Sequence, residues 1–81
     1  MDMHDVAARL EQRFGLGTRP ELRKALYQRL EHVIETEGEP AYVVVASAAA
    51  DAAGKENPGR YFAHVVMLRL MERGIIDAPE I

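Results

Sequence analysis

The side chains of this 81-residue chain whose types could do chemistry are few: three histidines, a single serine, and a run of basic groups between Lys55 and Arg73. Ser47 sits in an alanine-rich segment with no histidine close in sequence, so the hydroxyl reads as a helix-contact group rather than a nucleophile. His32 and Glu35 are spaced to share one turn of helix, but a structural metal site takes three or four ligands and no Glu-x-x-His repeat is present. His4 and His64 have no second ligand at helical spacing. Gly15-Leu16-Gly17 lacks the preceding strand and the lysine of a phosphate loop. No catalytic residue, metal site or cofactor is therefore expected, and the chain reads as a non-enzyme.

The basic run is the better candidate. Lys55, Arg60, His64, Arg69 and Arg73 fall on or just before one helix-like stretch, together with Tyr61. Arg60 and His64 share a face one turn apart, and Arg60 lies in the first turn, where free backbone N–H groups favour a phosphate. Arg69 and Arg73 share a different face. They also complement the negative end of the helix dipole, a role that needs no ligand. Nucleic-acid contact through Lys55, Arg60, Tyr61, His64, Arg69 and Arg73 is one reading of the run, and that purely structural role is the other.

Net charge is -3, which by itself opposes a general phosphate-binding surface. The distribution is uneven: residues 1–37 hold six basic and seven acidic groups, whereas residues 55–73 hold four basic groups against Glu56 and Glu72. That last segment is the net-positive one. Cysteine is absent, which removes disulfides, thiolate metal sites and a cysteine nucleophile together. The first five residues lack the basic-then-apolar pattern of a signal peptide, and no apolar run approaches the ~20 residues that span a bilayer. A cytoplasmic protein of one domain is expected, close to the lower size limit for a single core.

Four helices are needed to position these groups. Asn57-Pro58 opens the one carrying the basic run, Asn57 as N-cap and Pro58 as first helical residue, and Gly74 closes it with Ile75 packing back. Tyr61, Phe62, Val65, Val66, Met67, Leu68, Leu70 and Met71 cover most of its circumference, as in a helix enclosed by others. Helix one spans about residues 3–14, with Met3, Val6, Ala7, Leu10 and Phe14 in one stripe, Asp2 or Asp5 favouring its start, and Gly15-Leu16-Gly17 stopping it. Helix two spans about 19–37. Thr18 and Glu21 have capping-box spacing, Leu22, Leu26, Leu30 and Val33 form the core stripe with Tyr27 and Ile34 on its flank, and Gly38 ends it.

Helix three, about 40–53, carries conflicting signals. Tyr42-Val43-Val44-Val45 suits a strand, but the alanine-rich continuation favours helix, and a lone strand would leave its backbone unpaired. Helix is the consistent reading, with Gly54 at its end and helix four, about 58–73, packed against it.

Ala46 to Ile75, an alanine-rich helix followed by Lys55-Glu56-Asn57-Pro58-Gly59-Arg60-Tyr61-Phe62 and an apolar helix closing at Gly74-Ile75, resembles the carboxy-terminal helical segment of DnaD-like primosome proteins. It also resembles the Asn-Pro-Gly-x-Tyr block of plasmid replication-initiation proteins. In the DnaD-like family a Tyr, an aliphatic residue four on and a Trp four further form a motif linked to single-stranded DNA binding. The matching positions here are Tyr61, Val65 and Arg69. The Trp is absent, and Arg69 in its place would exchange base stacking for phosphate contact.

The sequence thus predicts a compact all-α domain of four helices in orthogonal packing. Two functions follow from it. The first is a non-catalytic, nucleic-acid-associated module of replication or mobile-element machinery, with single-stranded or duplex DNA as partner. The second is a protein-interaction or homo-oligomerisation domain in which Phe62, Met67 and Met71 of helix four dock on a partner or a second copy.

Overall fold

The computed structural model describes residues 5–77. Within them the chain is all helical: α1 (Val6–Phe14), α2 (Pro20–Glu37), α3 (Glu39–Ala52) and α4 (Pro58–Glu72). α1 packs on α2, α2 on α3 and α3 on α4, so each helix lies against its neighbour in sequence. The Tyr-Val-Val-Val run is helical. Val44 and Val45 face inward in α3, while Val43 is 50% exposed.

The caps of α4 form as its sequence implies. Asn57 Oδ1 accepts from the Arg60 N–H at 3.3 Å, and Pro58 begins the helix. At the other end Gly74 is left-handed (φ 71°), and the N–H groups of Gly74 and Ile75 reach back to the Met71 and Leu70 carbonyls, a Schellman closure. Gly38 has the sharpest task. With φ 77° it donates to the Ile34 carbonyl to end α2 and accepts from the Tyr42 N–H to start α3, joining two helices through one residue.

Several expectations need correction. The buried stripe of α2 is Tyr27, Leu30 and Ile34; Leu26 and Val33 are half-buried on its edges, and Leu22 is 61% exposed. Tyr27 belongs inside because its hydroxyl has a partner there, the Gly15 carbonyl at 2.7 Å. Thr18 and Glu21 make no capping box, since the N-cap of α2 is Arg19 and no side chain caps it. Asp5 occupies the N-cap position of α1 in a left-handed conformation without a side-chain cap bond, and Glu31 of α2 reaches across to accept from the Ala7 N–H at 2.8 Å instead. Asp2, Met3 and His4 lie outside the described residues. Gly54 is not left-handed; α3 ends in short turns in which Ala53 and Lys55 donate to Ala50 and Ala52.

The most enclosed helix is α3 rather than α4. Ala41, Val44, Val45, Ala48, Ala49 and Ala52 are all buried, because alanines let neighbouring helices approach closely on more than one side. α4 buries a single stripe, Gly59, Phe62, Val66 and Leu70, and leaves Leu68 43% exposed. At one end of the molecule an aromatic trio ties three helices together. Phe14 stacks on Phe62 with centroids 4.7 Å apart, and Tyr27 approaches Phe62 at 6.5 Å. This trio holds the C-terminus of α1 and the early turns of α4 against α2 two turns beyond its start.

Candidate phosphate-binding cleft

The starts of α2 and α4 border a cleft of about 530 Å³. Its walls carry Arg19 and Arg23 from α2 and Arg60 from α4, with Thr18 and Asn57 at the helix starts and Leu22, Leu26 and Ala63 between them. No aspartate or glutamate among the described residues lines it. Arg19, Arg23 and Arg60 make no ion pair among the described residues.

Arg23 is held in place by the absence of two side chains. A Cβ on Gly59 would lie 2.7 Å from its Nη1, and a Cβ on Gly17 would lie 3.4 Å from its Nη2. The guanidinium therefore occupies a slot between two glycines, half-buried and restrained, while Arg19 and Arg60 are exposed. The N-terminus of α2 has no side-chain cap, so the Glu21 and Leu22 N–H groups keep their donor capacity beside the cleft. Three positive charges, of which Arg23 is the restrained one, and unspent N–H donors in one concavity are the donor set that an anion with several acceptor oxygens requires. A phosphate meets that description.

Of the six residues expected from sequence to contact nucleic acid, the structure brings Arg60 into this cleft. His64 lies one turn further along α4 on the exposed side. Lys55 places its Nζ 4.9 Å from the centroid of the Tyr61 ring, so that Tyr61, half-buried, has one face already covered by a cation. Arg69 is committed elsewhere: its Nη2 is 2.5 Å from Asp51 Oδ2 and its Nη1 is 3.4 Å from Ser47 Oγ, both on α3. Arg69 clamps two helices, and Ser47 is the hydroxyl end of that clamp. Arg73 is exposed at the end of α4, beside Glu39, Val43 and Ile75. Thirteen residues of helix separate it from Arg60, roughly 20 Å, so the two cannot serve one phosphate.

For a partner surface on α4, Phe62 is fully enclosed, at 0% exposure, and its ring is out of a partner's reach in this fold. Met67 and Met71 are half-buried, and Met67 packs on the core. His32, Glu35, Glu31 and Asp5 border a shallow depression between α1 and α2, but no group of three or more metal-ligating side chains is gathered among the described residues. No helix among them is long and apolar enough to cross a membrane.

Sequence reading missed Arg19, Arg23 and Leu22 as site residues. A usable signal existed: Arg19 and Arg23 stand one turn apart at the start of α2, flanked by Gly17 and Pro20. No family model matches this chain, and comparison with curated proteins and with solved structures finds none significantly similar to it.

Proposed function

We propose that this protein is a non-catalytic, cytoplasmic, nucleic-acid-associated module of replication or mobile-element machinery, gripping phosphate in the cleft of Arg19, Arg23 and Arg60. The observation that carries the reading is the convergence of three arginines, none of them ion-paired among the described residues, on one acid-free concavity. Lys55 adds a positive charge just before α4, and His64 lies one turn beyond Arg60 on its exposed side. The resemblance of the segment Ala46 to Ile75 to DnaD-like and plasmid replication-initiation proteins supplies the biological setting. Arg69 and Arg73 drop out of the contact set, because one is paired with Asp51 and the other lies at the far end of α4.

Fluorescence anisotropy with labelled single- and double-stranded DNA at low and moderate salt tests this. Binding should weaken steeply as salt rises. The double variant R19A/R60A should weaken it at every salt concentration and flatten the salt dependence by about 1.4–1.8 in log–log slope, at ~0.7–0.9 for each phosphate no longer neutralised. Absence of binding at low salt rejects the proposal. A second reading, assembly through α4, rests on Leu68, 43% exposed between half-buried Met67 and Met71. It predicts a salt-insensitive dimer by light scattering that Leu68→Glu dissolves.

A further inference from the structure

A second concavity lies between α1 and α3, away from the arginine cleft, and its walls have the register of a helix-binding groove. α1 presents Val6, Arg9, Leu10 and Arg13; α3 presents Tyr42, Val45, Ala46 and Ala49. Each set follows the spacing i, i+3, i+4, i+7, so two helix faces run along the same groove for two turns. Its volume is about 280 Å³. The small Ala46 and Ala49 let an occupant's backbone come close.

Here the core is thinly sealed. Val6 and Leu10 keep 6% exposure and Val45 and Ala49 keep 4%, whereas Phe62, Val66, Leu70 and Leu30 have none. Among the described residues the charge at the rim has one sign: Arg9 and Arg13 stand one turn apart on α1, no carboxylate lines the groove, and neither arginine is ion-paired.

We infer that this groove docks an amphipathic, acidic helix of a partner protein, its apolar stripe lying over Ala46 and Ala49 and its flanking carboxylates meeting Arg9 and Arg13. The complementary geometry is the helix-in-groove mode, with apolar anchors spaced i, i+4, i+7 and Asp or Glu beside them. A second copy of this chain does not fit. The large apolar side chains that its helices leave exposed, Leu22, Val43 and Leu68, stand one to a helix, so none offers an apolar stripe spaced i, i+4, i+7 to this groove.

Two fluorescein-labelled helical peptides test the assignment, both with leucines at i, i+4 and i+7, one with glutamates and the other with lysines at the flanking positions. The glutamate peptide should bind saturably and the lysine peptide about tenfold more weakly or not at all. The double variant R9E/R13E should reverse that order. Ala46→Arg, which fills the groove from a half-buried position, should abolish binding while circular dichroism confirms an intact fold. R19A/R60A should leave peptide binding unchanged, separating this site from the phosphate cleft. Equal binding of both peptides, an unaltered order in R9E/R13E, or a dimer of the free chain that Ala46→Arg dissociates would each overturn the inference.

Discussion

Gly59→Ala separates the binding role of the cleft from its contribution to folding. Gly59 is buried in the first turn of α4, and helix propensity alone favours alanine there by about 0.5–1 kcal/mol. Against this gain stand two close approaches of the new methyl group: 2.7 Å to Arg23 Nη1 and 3.2 Å to the Phe14 carbonyl oxygen. The first is relieved by moving the tip of a flexible side chain, at an off-rotamer cost of about 0.5–1.5 kcal/mol. The second asks the end of α1 to give by a few tenths of an ångström. Gain and cost nearly cancel, so stability should change by less than ~1 kcal/mol, a shift in Tm within about 4–8 °C.

Binding should respond differently, because the displaced guanidinium is the restrained member of the three arginines. Weakening one charge-assisted hydrogen bond by ~1–2 kcal/mol corresponds to roughly a five- to thirty-fold drop in DNA affinity. Thermal denaturation and anisotropy on the same preparation read both quantities, with Arg23→Ala as the reference for complete removal of the guanidinium. DNA affinity in Gly59→Ala equal to that of the unaltered chain would refute the claim that the glycine slot positions Arg23 for a ligand.

Further outcomes follow from the packing. Phe62→Ala removes the centre of the aromatic trio at a cost of ~3–5 kcal/mol, comparable with the ~4–12 kcal/mol available to a domain of this size, so helical circular dichroism should lose its cooperative melt. Tyr27→Phe leaves the Gly15 carbonyl without its donor and should cost about 0.5–1.5 kcal/mol by urea denaturation; no change would show that water replaces the hydroxyl without penalty. Asp51→Ala should destabilise by no more than ~1 kcal/mol, since the pair with Arg69 is 30% and 49% exposed, and should not lower the affinity for DNA. Leu22→Ser should be neutral to within ~0.5 kcal/mol in a melt, in contrast to the cost of a true core leucine.

The features legible in the sequence are those that short segments decide. Asn57-Pro58 and Gly74-Ile75 bound α4 because a cap is satisfied within a turn of itself, and the same locality makes Gly15, Gly17 and Gly38 readable as helix stops. The core stripe of α2 is harder. A count of hydrophobicity prefers Leu22 and Leu26 to Tyr27, but the helix is rotated so that Tyr27 enters, since the Gly15 carbonyl satisfies its hydroxyl. That bond joins residues twelve apart and is invisible to a periodic reading. The same limit applies to the site. Arg60 is identifiable from its place on its own helix, whereas Arg19 and Arg23 join it only through the tertiary packing that sets the start of α2 beside that of α4. Arg69 looks available on α4 until Asp51, eighteen residues earlier, is placed opposite it.

The most direct test of the central claim is a ¹H–¹⁵N NMR titration of the labelled protein with a short DNA strand at low salt. The largest shifts should fall on the backbone around Arg19 to Arg23 and Asn57 to Arg60, with the side-chain signals of Arg23 and Arg60 sharpened or displaced, while Arg69 and Arg73 stay put. Shifts centred on Arg69 and Arg73, or spread evenly over every basic residue, would contradict it.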